Sequence, residues 1–270
     1  MGKEIAAITG SHGFLAENLI KNLNDVSVWR IPRDGSSTYA DYYYDFASYG
    51  NYYDQRDISE IYRVNVQRLI ELLDNTKHVE YKSFIVTSSS AVDLPNLSFY
   101  SQTKKAAEGA AQQFAKEYNK PIVIVRPYSI TGVGEQYQHL IPKLIHSCVT
   151  GEQIDFVPNP VHDFLDIEDF TQALLLISQN ARNLKGQIVP VGSGMQYTNQ
   201  EVLNIVEKVT GKKANISVVK SMRSYDTDRW IADISILKFF GWQPTISLRE
   251  SIERMVNGKK IIPCKPKRKI

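Results

Sequence analysis

The chain has 270 residues, 43% hydrophobic and 23% charged, and its 32 basic and 29 acidic side chains leave a formal net charge of +3. That length suits one large α/β domain or two domains with a substantial core, and the near balance of charge gives no basis for a nucleic-acid or membrane partner. Two cysteines, Cys148 and Cys264, without CxxC or metal-ligand spacing, argue against a disulfide framework or a metal site and make a reducing cytoplasm the expected setting.

The opening MGKEIAAITG lacks the long apolar core of a signal peptide, and no run of about 18 apolar residues occurs, so no membrane-spanning segment is expected. From there short β-rich apolar runs alternate with amphipathic helical patterns, the rhythm of stacked βαβ units around a doubly wound parallel sheet. EIAAITG reads as a first strand, FLAENLIKNLN as a helix and VSVWRI as a second strand. STYADYYYDFASYGNYYDQRD then breaks the rhythm with seven tyrosines, and YYYDFAS is its only plausible buried strand. A stacking surface for nucleic acid would need interleaved basic residues, which are nearly absent, so the stretch reads as an edge strand with a tyrosine-rich loop packed on the sheet. ISEIYRVNVQRLIELLDNT repeats apolar positions at helical spacing and SFIVTSS follows as a strand. A long helix from about Ser101 to Tyr118 and the strand PIVIVRP continue the pattern. The final GKKIIPCKPKRKI, basic and broken by two prolines, reads as a solvated tail rather than an anionic-lipid or nucleic-acid contact.

In ITGSHGFLAENL, Gly10, Gly13 and Ala16 stand at G-x-x-G-x-x-A spacing, after a strand and at the opening of a helix. Gly10 permits the tight turn, Gly13 lets a pyrophosphate approach the backbone, and Ala16 allows close helix packing. The helix N-terminus then offers unpaired N–H groups and a positive dipole end to the phosphates. His12 lies within this turn, facing solvent or bordering the dinucleotide. About twenty residues further on, a site preferring NAD offers a carboxylate to the adenosine ribose. Here Arg30 and Arg33 stand instead, and a guanidinium suits the 2′-phosphate of NADP, so NADP(H) is favoured over NAD(H).

FYSQTKKAAEG places Tyr100 and Lys104 four residues apart, one helical turn, after FIVTSSSAVD, where a strand ends in three serines. A free phenol ionises near pH ~10. A neighbouring ammonium and a positive nicotinamide ring favour its phenolate, which makes Tyr100 usable as acid or base near neutrality.

The segments TGSHGFLA, SSSAVD, YSQTK and RPYSITG, in this order, resemble the extended short-chain dehydrogenase/reductases, the nucleotide-sugar epimerase/dehydratase branch. The resemblance runs over roughly residues 4 to 256. HDFLDIEDF is similar to that family's R-D-F-x-x-V-x-D stretch and ADISILKFFGWQP to its A-D-x-S-K-x-x-x-L-G-W-x-P stretch. It implies that Ser89 is the catalytic hydroxyl, with Ser88 and Ser90 as close rivals, that Tyr100 is the acid/base, and that Lys104 binds the nicotinamide ribose. Asn65 matches a helix asparagine that supports the site. Gly10, His12, Gly13, Phe14, Leu15, Arg30, Arg33, Phe46, Ala47, Asn65 and Tyr128 would border the cofactor with Tyr100 and Lys104. Ser89, Ser90, Ser129, His162 and Arg223 would face the substrate, although an expected arginine is His162 here and an expected asparagine is Ser129.

Further expectations follow from the resemblance. A Rossmann domain should comprise 1–130 and 161–195, a smaller substrate-binding α/β lobe 131–160 and 196–258, and a basic tail 259–270. The segment between the second strand and YYYDFAS is too short for the helix and strand the family places there, so the sheet should be one element shorter. Dehydratases of this branch place an Asp-Glu pair directly after the hydroxyl residue, whereas Ser90 and Ala91 stand here. The expected activity is therefore hydride transfer at a ring carbon of a nucleotide sugar, by a 4-ketoreductase or 4-epimerase. A catalytically idle cofactor-binding or scaffold protein is the alternative. A homodimer joined through helices near 58 to 74 and 101 to 118 is implied.

Overall fold

The computed structural model describes residues 2–32, 39–52, 55–220 and 227–258. Arg33, Arg223, the 259–270 tail and part of the shortened segment 34–57 lie outside the described residues. In chain order the first elements are β1 (Glu4–Thr9), α1 (Phe14–Asn22), β2 (Val26–Arg30), β3 (Tyr42–Asp45), α2 (Ile58–Tyr62), α3 (Arg68–Thr76), β4 (Ser83–Thr87), α4 (Phe99–Glu117) and β5 (Ile122–Pro127). Then come β6 (Ser129–Thr131), α5 (Leu140–Thr150), β7 (Ile154–Phe156), β8 (Val161–His162), β9 (Phe164–Asp166), α6 (Ile167–Gln179) and β10 (Ile188–Val191). The last are β11 (Tyr197–Thr198), α7 (Asn199–Thr210), β12 (Ile216–Val218), α8 (Ser235–Phe239) and α9 (Leu248–Asn257).

Two compact units result. One comprises the chain up to Tyr128 with Phe170–Val191 and Asp233–Gln243; the other comprises Ser129–Asp169, Gly192–Ala232 and the chain from Pro244 on. The first is built on a six-stranded sheet in the order β10-β5-β4-β3-β1-β2, every pair parallel. Strands covered on both faces read as continuous apolar runs, and β4 and the start of β5 do so, with Phe84, Ile85, Ile122, Val123 and Ile124 all buried.

The tyrosine-rich strand corrects one expectation. β3 is not at an edge: it pairs with β1 on one side and β4 on the other, and the sheet ends at β2. Among the described residues no strand pairs beyond β2, and the tyrosine-rich strand lies inside the sheet. Alternation along a strand sends successive side chains to opposite faces. Tyr43 accordingly stacks on Phe84 with ring centroids 5.3 Å apart, in a cluster with Leu69, Leu73, Ala107 and Ala111 of α3 and α4. Tyr44 donates to Ser178 Oγ at 3.0 Å, and burial pushes its phenol up to about 12. Each buried ring contributes about 1.5–3 kcal/mol, while its hydroxyl finds a partner, so these tyrosines hold the sheet together.

The helices differ in detail from the periodicity. The 58–76 pattern is interrupted by a π-turn, Arg63–Gln67, between α2 and α3. The long helix starts at Phe99 because Ser98 caps it, its Oγ accepting from Ser101 N at 3.2 Å. Among the described residues no helix is long and apolar enough to cross a membrane.

The second unit packs α5, α7 and α9 around Ile141, Leu144, Phe156, Val202, Val206 and Ile252. Three two-stranded pairs accompany them: β6 with β9, β7 with β12, and β8 antiparallel to β11. A capping box formed by Thr198 and Glu201 starts α7, and Gly211 in the left-handed region ends it.

Candidate active site

β1 ends at Thr9, and Gly10 turns the chain with φ +58, a region that suits glycine. A Cβ at Gly10 would stand 2.7 Å from both Phe46 C and Ala47 N, so the turn and the segment leaving β3 touch backbone to backbone. Ala47 N donates to Thr9 Oγ1 at 3.1 Å, and Gly13 N donates to Gly10 O at 2.9 Å. Gly13 caps α1 without a side-chain bond, leaving the first-turn N–H groups of Phe14, Leu15 and Ala16 to outside partners. These features fit a dinucleotide pyrophosphate: an uncapped helix start behind a turn in which side chains would obstruct the backbone. His12 is exposed, its imidazole 3.7 Å from the Glu17 carboxylate. Arg30 reaches back to the same turn, donating to Ser11 O at 2.6 Å and to Glu17 at 3.2 Å.

Tyr100 and Lys104 share one face of α4, as four-residue spacing requires. Lys104 is 4% exposed; its Nζ donates to Thr87 O at 2.8 Å and lies 5.9 Å from the Tyr100 ring centroid. Burial lowers Lys104 to about 8, opposed by Asp45 and Glu108 and assisted by Arg68. Burial also pushes the Tyr100 phenol up, while the hydroxyls of Ser48 and Ser89 beside it pull it down. Within the chain itself the net direction for Tyr100 is therefore upward, against the pull expected from Lys104. The ammonium is turned to the Thr87 carbonyl, and desolvation of the phenol dominates.

The three serines have separate surroundings. Ser88 donates to Glu108 Oε1 at 2.6 Å, and Ser90 is buried at the start of a 3₁₀ turn, Ser90–Asp93. Ser89 caps that turn, accepting from Ala91 N at 3.2 Å, and its hydroxyl is the one beside Tyr100. The turn is held at both ends by one cation. Arg126 on β5 binds Glu108 through Nε and Nη2, each at 2.7 Å, and Asp93 through Nη1 at 2.8 Å.

Asn65 sits in the π-turn, 3% exposed, and so does not face solvent. Its Oδ1 accepts from Tyr49 N at 2.9 Å, and its Nδ2 donates to Tyr49 O at 2.8 Å and Thr103 Oγ1 at 3.0 Å. One side chain thereby ties the segment leaving β3 to the first turns of α4. Sequence reasoning missed Ser48, Asp45, Arg68, Glu108 and Arg126. Asp45, at the end of β3, accepts from Thr9 Oγ1 and from Arg68 Nη2, the latter at 2.6 Å. The available signal was the rule that open parallel sheets act at the carboxyl ends of their strands, which Asp45, Ser48 and Thr87 occupy.

Tyr128 is half-buried, with its N–H on Val191 O. In the second unit, Ser129 N donates to Asp163 O at 2.9 Å, and His162 pairs with Tyr197 between β8 and β11. The His162 ring lies 5.1 Å from Trp230 and 5.6 Å from Phe164. Asp163, fully buried, accepts from the N–H groups of Ser193, Gly194 and Ala232, which knits together the strand end carrying Ser129 and His162.

The chain is similar to several known proteins. It is 26% identical over 214 residues to UDP-glucuronate 4-epimerase of Thermodesulfobacterium geofontis, covering 73% of this chain and 65% of that protein. It is 26% identical over 172 residues to dTDP-glucose 4,6-dehydratase of Haemophilus influenzae, covering 58% and 50%. The chain spans about half the length of the first curated relatives it matches. The fold is that of UDP-glucuronic acid 4-epimerase from Bacillus cereus in complex with UDP-glucuronic acid and NAD, with TM-score 0.81, 20% identity and coverage of 94% and 98%. It is also that of RMD from Pseudomonas aeruginosa complexed with NADPH, with TM-score 0.81, 17% identity and coverage of 94% and 98%. Residues 36–192 match the family model itself, and the chain belongs to the NAD dependent epimerase/dehydratase family.

Proposed function

We propose that the protein moves hydride at a ring carbon of a nucleotide-diphosphate sugar, as a 4-ketoreductase or 4-epimerase rather than a dehydratase. The observation that carries the reading is the Tyr100 phenol, set beside the Ser89 hydroxyl with Lys104 one turn along α4, at the carboxyl ends of a parallel sheet. A nicotinamide cofactor, when bound, supplies the hydride acceptor or donor. Gly10, Gly13, Phe14 and Leu15 would hold its pyrophosphate, with Phe46, Ala47 and Tyr128 along its length and Lys104 at the nicotinamide ribose. Tyr100 takes or gives the proton of the reacting oxygen. Ser89 accepts from Ala91 N and keeps its own O–H to donate to that oxygen. Asn65 keeps Tyr49 and Thr103 in register around the pair.

Ser90 and Ala91 follow Ser89 where elimination of water would need a further acid and base, which supports transfer without dehydration. Ser129, His162 and Arg223 are the proposed substrate-binding residues. Incubation with UDP-, GDP-, CDP- and dTDP-sugars tests the reading. A 4-epimer formed without net cofactor turnover identifies an epimerase, and NADPH consumed with a 4-keto sugar identifies a reductase. Failure to bind either nicotinamide cofactor overturns both.

NADP(H) over NAD(H) rests on Arg30. Its guanidinium donates to Ser11 O and pairs with Glu17, the latter an exposed pair worth no more than about 1 kcal/mol, so a 2′-phosphate would compete mainly with the Ser11 carbonyl. Arg30→Ala is expected to weaken NADPH binding about ten-fold and NADH binding less than two-fold. Equal losses in a fluorescence titration would remove Arg30 as the discriminating residue. A homodimer through α2, α3 and α4 is supported by large apolar side chains exposed there: Ile58, Tyr62, Ile70 and Phe99. Light scattering that finds only monomer overturns it.

A further inference from the structure

Ser48 has no role in the reading above, yet the sheet register gives it an unusual position. β3 and β4 run parallel with Asp45 opposite Val86. Three residues beyond that pair each chain carries a serine, Ser48 after β3 and Ser89 after β4. The two serines thus follow the last paired residues of neighbouring strands by the same number of positions, and both hydroxyls lie beside that of Tyr100. Ser48 is anchored on both sides. Ala47 N is bonded to Thr9 Oγ1, and Tyr49 is clamped through N–H and C=O by Asn65, which also binds Thr103 one turn from Tyr100.

Nevertheless Ser48 Oγ is buried without a partner at hydrogen-bonding geometry, so its approach to the phenol is loose. A buried hydroxyl without a partner is costly. Alanine would fit the same backbone without that cost. Such a hydroxyl gains a matched partner when the neighbouring phenol becomes a stronger acceptor than its neutral form.

We propose that Ser48 is a second hydroxyl partner of Tyr100, donating to the phenolate while Ser89 is occupied with the reacting oxygen. The inference rests on the reading of Tyr100 as the acid/base. Ser48 keeps its own proton throughout; only the strength of its bond changes, because a hydrogen bond to an ionised acceptor is roughly twice as strong as a neutral one. Several other groups surround the site. Lys104 on the same helix, Asp45 at the end of β3, Arg68 on α3 and Glu108 on α4 set its background charge, and the unpartnered Thr87 hydroxyl lies at the end of β4. They are unchanged in a Ser48 variant.

The test is a pH titration of protein labelled with 13C at the tyrosine ζ carbon, with the Tyr100 resonance assigned by its loss in Tyr100→Phe. Wild type, Ser48→Ala and Ser48→Thr are compared up to pH ~11. Loss of one charge-assisted bond should raise the Tyr100 midpoint by about one unit in Ser48→Ala, with Ser48→Thr restoring most of it. Melting is the second measurement. If the hydroxyl is kept for the phenolate, Ser48→Ala melts at or above the wild-type temperature, whereas a serine kept for packing would melt lower. Indistinguishable titrations in the three proteins, including no ionisation in any, overturn the proposal, as does a lower melting temperature with an unshifted midpoint. No substrate is needed, so this outcome is separate from failure of the catalytic reading, which Tyr100→Phe turnover decides.

Discussion

Replacement of Tyr100 by phenylalanine is expected to lower turnover by about 10²- to 10⁴-fold, the range a positioned general acid or base contributes, with cofactor binding retained. The ring stays in place over Lys104 and the helix cap at Ser98 is untouched, so only the hydroxyl is lost. A change confined to KM would mean that the hydroxyl merely binds substrate. The pH dependence has a definite sign. Burial raises the Tyr100 phenol and lowers Lys104 to about 8, so as pH rises through about 8 the ammonium discharges before the phenol ionises. Activity relying on a charged Lys104 therefore declines above pH ~8. Retention of more than a tenth of wild-type turnover in Tyr100→Phe would refute the assignment.

Replacement of Arg126 by alanine is the second large effect, and it is one of stability. The Glu108 side chain is 4% exposed, and its two oxygens are held by Arg126 Nε and Nη2 with Ser88 adding a third bond. Removing the cation leaves a buried carboxylate with one hydroxyl, and breaking such a pair from one side costs about 3–5 kcal/mol. Against a total stability of about 5–15 kcal/mol this approaches unfolding at ordinary temperature. Arg126→Lys keeps the charge but not the two-pronged geometry and should fall between. Glu108→Gln with Arg126→Met removes both charges and should recover part of the loss in urea unfolding. Its turnover should remain low, because Ser88 and Asp93, on either side of Ser89, lose their common anchor. An Arg126→Ala protein within 1 kcal/mol of wild type would show that the clamp is incidental.

Much of the candidate site was readable because it depends on spacing along the chain. Gly10 and Gly13 stand a turn apart between a strand and a helix, and Tyr100 and Lys104 stand a helical turn apart; both relations are local. What escaped depends on pairing between distant segments. The tyrosine-rich strand has the composition of an edge but lies inside the sheet, because Tyr43 finds Phe84 and Tyr44 finds Ser178. Asn65 occupies a helical pattern that alone cannot distinguish a solvated face from a π-turn buried against Thr103.

The sequence by itself determined the parallel α/β class, the glycine turn and the tyrosine–lysine pair, since each follows from periodicity or short-range separation. Only the tertiary structure decided which of three consecutive serines meets the phenol, that Ser48 joins it, and that Glu108 and Arg126 hold the turn between them. Those relations are set by the register of β3 against β4 and by the packing of α4 on β5, and such long-range pairings leave no periodic trace in the residues that make them.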